Sequence, residues 1–283
     1  MTLKPTAKIS SSKTYKLTSK NYYDNESNWH YQSVSLIKDF EKCQAATLAR
    51  LKGEYEPDGN NTALLVGNFL HSFFESPKAH ENFIKDNLSE IQTKAGKARA
   101  EFKQAETMIK TLDADQAFRA LYQGKKEVIV TGSIGGVDFM GKIDCLNLDK
   151  GYFVDLKTTR NIRELQWDNV KRRKVSFIEK YNYYIQLAVY QELIKQQFGV
   201  ICRPMIIAVS KEPVPDKQAF VFEDFQEQTK LSDAMSALLE ELPEIEAVKN
   251  GQVSPEYCGV CDYCKSHKQL SIMSPTDLEL VNW

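Results

Sequence analysis

Apolar residues recur at helical spacing through residues 33–55, where Leu36, Phe40, Cys43, Thr47 and Leu51 mark one face. Ser33 or Ser35 can cap the start, so the pattern predicts a first amphipathic helix, closed by the Pro57 and Gly59 breakers of EPDGNN. TALLVGNFLHSFFES, residues 62–76, is apolar nearly all round and predicts a buried helix. Residues 94–123 read as a polar, amphipathic helix. The period then changes. Residues 127–159 are rich in Val, Ile, Phe and Tyr and are punctuated by paired glycines and an Asp-Lys-Gly turn. They predict three sequential antiparallel strands at about 127–133, 136–147 and 151–157. A long helix over 177–199 closes at Gly199, strands follow at 203–212 and 218–224, and a helix over 225–251 is interrupted near Pro243. This order predicts an α/β fold with a mixed sheet and helical layers. Residues 1–30 are expected to form a flexible N-terminal arm. Residues 31–283 are expected to form a single domain with a helical front and a cysteine-bearing tail at about 252–268.

Composition narrows the class. With 283 residues, 42% of them hydrophobic, the chain can bury a substantial core. No apolar run approaches the roughly 18 residues that a membrane span requires. The polar, basic start MTLKPTAKISSSKTYKLTSK lacks the apolar centre of a secretory signal, so a cytoplasmic protein of a bacterium or phage-infected host is expected. There, clustered cysteines serve metal or redox chemistry rather than disulfides. The net charge of −1 means that any nucleic-acid contact must come from a local patch. Residues 157–180 supply one, with eight Lys or Arg against three acids. Alone, such a run reads as a solvated helix face.

The candidate chemistry lies in GKIDCLNLDKGYFVDLKTT. Asp155 and Lys157 are two apart on one strand and leave the same face. If residues 147–151 form the turn, antiparallel pairing brings Asp144 close to Asp155. Two carboxylates at such range invite a hard divalent cation, Mg²⁺ or Mn²⁺. An ammonium beside them can orient an attacking water or balance charge on a phosphate. Two charges inside the apolar run of Tyr152, Phe153 and Val154 are costly without a function.

This G-x-x-D…D-L-K pattern resembles the PD-(D/E)xK nuclease superfamily, in its RecB- and RecE-like exonuclease branch, and most of all the phage and prophage RecE-like set. That branch also carries a histidine on an upstream helix and Gln-x-x-x-Tyr on the helix after the lysine strand. Gly67-Asn-Phe-Leu-His71 and Gln186-Leu-Ala-Val-Tyr190 match both. The resemblance covers roughly residues 33–265 and implies a restriction-endonuclease-like core, a mixed central sheet flanked by helices. It implies that His71, Asp144, Asp155 and the carbonyl of Leu156 bind Mg²⁺ or Mn²⁺, and that Lys157 positions the attacking water. Gln186 and Tyr190 would hold the lysine side or the scissile phosphate. Thr158, Arg160, Lys171, Arg172, Arg173 and Lys174 would contact DNA phosphates. Glu75 and Glu127 are further acids outside this set. The implied activity is exonucleolytic hydrolysis at linear double-stranded DNA ends for recombination or resection, with a RecT-like single-strand annealing protein as a partner and self-association open. Rival readings are an endonuclease or CRISPR-type end-processing nuclease of the same fold, and a catalytically idle DNA-binding subunit.

Cys258, Cys261 and Cys264 form C-x2-C-x2-C, which crowds three thiolates around one centre and leaves it one ligand short. Cys43 is the best fourth ligand and His267 its rival, while Cys145 and Cys202 read as core thiols. Some RecB-family nucleases place one cysteine before the nuclease motifs and three after them around a [4Fe–4S] cluster, and the segment around Cys43 is similar. The resemblance implies a [4Fe–4S] cluster on Cys43, Cys258, Cys261 and Cys264, and the final x2 spacing, tighter than theirs, keeps Zn²⁺ open as the alternative.

Overall fold

The computed structural model describes residues 15–57, 62–169, 171–272 and 274. The chain opens with three short helices, α1 (Asn25–His30), α2 (Val34–Lys42) and α3 (Gln44–Leu51). The single helix expected over 33–55 is broken at Cys43, whose backbone is extended and whose thiol accepts a hydrogen bond from the Ala46 amide, capping α3. Then come α4 (Thr62–Glu75), α5 (Pro77–Asp86), α6 (Leu88–Ile91), α7 (Ala100–Asp113) and α8 (Gln116–Leu121). Ser76 caps α5 through its hydroxyl with Pro77 at the first helical position, and Asp115 caps α8.

The expected three-strand meander follows as β1 (Lys125–Ile134), β2 (Val137–Asn147) and β3 (Tyr152–Thr159). Gly135 and Gly136 both have positive φ, the backbone of a two-residue turn that matches strand twist. They set the register in which Ile134 pairs with Val137 and Lys126 with Cys145. A separate hairpin joins β4 (Gln166–Asp168) to β5 (Arg173–Val175). The basic run therefore lies on a hairpin, not a helix. The expected 177–199 helix divides into α9 (Phe177–Lys180) and α10 (Tyr183–Phe198), because Asn182 adopts left-handed backbone. After β6 (Arg203–Ser210) and β7 (Lys217–Val221), α11 (Phe225–Lys249) runs through Pro243 rather than stopping there. Leu238, Leu242, Ile245 and Val248 are buried at helical spacing across the proline, and this burial outweighs the lost hydrogen bond. The last helix is α12 (Asp262–His267).

The described residues divide into two compact units. Those within Met1–Val34 and Asn60–Leu242 form the first. Its five-stranded sheet runs β1-β2-β3-β6-β7, antiparallel except for the β3–β6 pair, so the sheet is mixed. Tyr152, Val154 and Leu156 of β3 and Ile207 and Val209 of β6 enter one apolar core with α4, α7 and α8. The alternate β3 residues reach α10, where Phe153 meets Tyr190 edge to face. A helix thus covers each side of β3. Of the expected flexible arm, residues 1–14 lie outside the described residues, but 15–30 are packed. Tyr15 stacks on His30 at 4.3 Å and bonds Ser27 Oγ, and Ser27 is fully buried. Gln32 then bridges onto β2 at Phe139. The second unit comprises the described residues within Ser35–Gly59 and Pro243–Trp283, so α3 and most of α2 share one unit with the cysteine tail, while α4 to α8 belong to the first.

Candidate active site

The β2–β3 ladder ends at Cys145 and Val154, and the next position outward holds Asp144 on one strand and Asp155 on the other. Past this point the strands part. The freed amide of Leu156 donates to Asp144 Oδ2 at 2.7 Å instead of to a backbone carbonyl of β2. β3 stays pinned on its other edge, where Asp155 pairs with Ile206 and Lys157 with Ala208. The site is a cleft opened between one strand pair and held rigid by the next.

Asp155 is 3% exposed. Its Oδ1 accepts from Gln186 Nε2 at 2.8 Å, and Lys157 Nζ stands 2.8 Å from Oδ2. Apart from this ion pair, buried Oδ2 has no further hydrogen-bond partner. Lys157 also lies 4.7 Å over the ring of Tyr183. Burial opposes its charge, but Asp155, Tyr183 and Asp144 win and raise its pKa. Burial is the larger influence on Asp155 and raises its pKa despite Lys157. Asp144 goes the other way: burial is overcome by His71, Lys157 and the Leu156 amide, which lower its pKa.

His71 comes from α4, with Nδ1 3.5 Å from Asp144 Oδ2. Glu127 completes a group with them. One ligand atom from each of His71, Glu127 and Asp144 lies within 4.8 Å of the others. In the β1–β2 register, Lys126 pairs with Cys145 and Val128 with Ile143, so Glu127 falls opposite Asp144. Its φ of 51° is a strained backbone for a non-glycine residue. Lys142 holds Glu127 Oε2 at 2.6 Å and lies 4.7 Å over the ring of Tyr23. Burial and the Asp144 charge raise the Glu127 pKa. An imidazole, two carboxylates and an open oxygen on Asp155 are a donor set that fits a hard divalent cation. Asp155 adjoins this group without belonging to it, and Glu75 is exposed at the end of α4.

Gln186 and Tyr190 lie on α10 as the motif requires. Gln186 holds Asp155, the carboxylate that pairs with Lys157. Tyr190 packs onto β2 at Gly141, where a Cβ would lie 2.8 Å from its ring. Glu127 is one of the further acids of the sequence, whereas Tyr22, Tyr23, Lys142 and Tyr183 carry no sequence signal of their own.

In the basic segment, Lys171 and Arg173 both pair with Glu179 while staying exposed. Arg172, at the hairpin turn, and Lys174 are exposed. Arg160 is exposed and 4.0 Å from Glu164, and Thr158 is half-buried on β3.

In the second unit, Cys43, Cys258, Cys261 and Cys264 form a four-cysteine site, their sulfurs all within 4.8 Å of one another. His267 is not part of it. Its Nδ1 lies 2.8 Å from the Tyr263 carbonyl and its ring packs on Tyr263. Burial opposes the Cys258 thiolate, but the Val260 and Cys261 amides outweigh it and bring its pKa to about 6. Cys145, beside Lys126 Nζ at 3.1 Å, and Cys202 are buried elsewhere.

Residues 33–267 match the family described as a PDDEXK-like domain of unknown function (DUF3799). The chain belongs to this family. Its sheet and helices are those of the PD-(D/E)xK nuclease superfamily, with the restriction-endonuclease-like core that the motif implied. This PDDEXK-like chain is also similar to a crystal structure from Eubacterium rectale named "Putative exonuclease". The two share 35% identity with a TM-score of 0.86, over 93% of this chain and 98% of that one. A second solved structure, SSO0001, aligns at 15% identity and a TM-score of 0.28 over 74% of this chain and 95% of that one, and carries no argument. No curated protein matches the sequence. Among the described residues, no helix is long and apolar enough to cross a membrane.

Proposed function

We propose that this PDDEXK-like chain is a divalent-cation-dependent DNA exonuclease that hydrolyses phosphodiesters at linear double-stranded ends. The observation that carries the reading is the meeting of His71, Glu127 and Asp144 beside the Asp155–Lys157 pair where β2 and β3 part. His71, Asp144, Glu127, the open Asp155 oxygen and the Leu156 carbonyl would hold Mg²⁺ or Mn²⁺. When bound, the cation supplies Lewis acidity at the scissile phosphate and an orienting charge for water.

The protein's own groups do the rest. Hydrolysis forms one bond from water oxygen to phosphorus and breaks one from phosphorus to a deoxyribose oxygen. The water gives up a proton, and the departing oxygen gains one. Lys157, held charged by its neighbours, donates to the water or to a phosphate oxygen rather than removing a proton. Gln186 fixes the Asp155 carboxylate, and Tyr190 under Gly141 fixes the distance of α10 from the sheet. Arg172 and Lys174 on the hairpin, with Arg160 and Thr158, contact backbone phosphates, and Lys171 and Arg173 join them from their pairs with Glu179. The reading places the protein in the cytoplasm of a bacterium or phage-infected cell, resecting ends for recombination with an annealing partner.

End dependence rests on the similarity to the Eubacterium rectale protein. The test is digestion of linear and closed circular forms of one plasmid with Mg²⁺ or with EDTA. Loss of linear DNA alone, in Mg²⁺ alone, is expected. Cleavage of the circle would make the chain an endonuclease, and cleavage in EDTA would exclude the cation.

A further inference from the structure

The four sulfurs of the second unit stand at the spacing of one coordination shell. Cys43 Sγ is 3.5 Å from Cys264 Sγ and 3.7 Å from Cys261 Sγ, and Cys258 Sγ is 3.7 Å from Cys264 Sγ. Four thiolates about 2.3 Å from a single zinc ion lie about 3.8 Å apart along the edges of their tetrahedron. In a [4Fe–4S] cluster each cysteine binds a different iron, which spreads the sulfurs farther than around one ion. The cubane suggested by the cysteine order therefore does not fit the spacing, and a single ion does.

The local backbone is built for thiolates. The amides of Ala46, Cys261 and Cys264 each donate to the sulfur of the cysteine three residues earlier, at 3.4 Å in every case. Amide donors aimed at ligating atoms fix their orientation and favour the charged form. Two of these sulfurs also cap helices, Cys43 at α3 and Cys261 at α12, so these two ligands sit at helix starts. All four thiols are free of disulfides. Cys43 and Cys264 are buried while Cys258 and Cys261 are half-buried, so an ion can enter from one side.

We propose that Cys43, Cys258, Cys261 and Cys264 bind one tetrahedral Zn²⁺ whose shell is closed by the protein. With no open position the ion is structural, and it ties the start of α3 to α12. The proposal is independent of the nuclease reading, and its test does not use cleavage.

The full chain, prepared both aerobically and without oxygen, is assayed for zinc, iron and acid-labile sulfide. About one zinc per chain, no sulfide and no broad visible absorbance are expected. Exchange with Co²⁺ should give the intense visible bands of tetrahedral thiolate cobalt. Iron with matching sulfide in the anaerobic preparation would overturn the proposal, and so would protein that binds neither zinc nor cobalt. Cys43→Ser and the more exposed Cys258→Ser should each lose stoichiometric zinc. Cys145→Ser, Cys202→Ser and His267→Ala should keep it. If Cys43→Ser does not fold, a mercurial titration of the wild type decides, since zinc release must track modification of four thiols.

Discussion

Glu127 stands across the β1–β2 ladder from Asp144, and together with His71 the two carboxylates surround one small volume. Glu127 is held there by Lys142 and by a backbone angle that most residues avoid, so its placement is built rather than incidental. Glu127→Gln should keep the fold and raise the Mg²⁺ concentration needed for half-maximal cleavage by about tenfold or more. An unchanged Mg²⁺ requirement would remove Glu127 from the cation site. His71→Ala should behave alike, with Mn²⁺ restoring more activity than Mg²⁺.

Gln186 touches the site only through Asp155. Gln186→Ala should lower kcat roughly 10–100-fold with little change in affinity for DNA. A loss confined to DNA affinity would mean that Gln186 binds substrate rather than positioning the carboxylate.

Gly141 leaves room for the ring of Tyr190. Gly141→Ala puts a methyl group 2.8 Å from that ring and should destabilise the chain by about 1–3 kcal/mol, read as a fall in the urea midpoint. A midpoint equal to that of the wild type would show that α10 can move away from β2 freely.

Phosphate contacts release counterions, so DNA binding should weaken steeply with salt whatever the base sequence. Replacing Lys171, Arg172, Arg173 and Lys174 with Ser should flatten the slope of log affinity against log salt. Arg172 and Lys174 should account for most of the change, because Lys171 and Arg173 already pair with Glu179. A slope unaltered by the fourfold change would leave the hairpin as a solvated surface.

Much of this arrangement was legible in the sequence, for identifiable reasons. The three-strand meander and the facing of Asp144 and Asp155 follow from period-2 patterning and two turn signals. Glu127 was within reach of the same logic. A two-residue turn at Gly135 and Gly136 fixes the register, and that register sets Glu127 opposite Asp144. What could not be read was long-range or backbone-specific. Asn182 breaks one helix and Cys43 another through local conformations that helical periodicity does not encode. Tyr22, Tyr23 and Tyr183 approach the site only because the fold carries them there. The basic run looked helical by charge alone, and its hairpin depends on the short β4–β5 pairing.

Under the proposed function, cation-dependent DNA hydrolysis depends on the Asp155–Lys157 pair. This dependence is tested most directly by release of acid-soluble nucleotides from linear duplex DNA with purified wild type, Asp155→Ala and Lys157→Ala, in Mg²⁺ and in EDTA. The far-UV spectrum of each variant establishes that it is folded. The expected result is release by the wild type in Mg²⁺ only, with each folded variant slower by at least about 100-fold. Release at the wild-type rate by either folded variant would contradict the account.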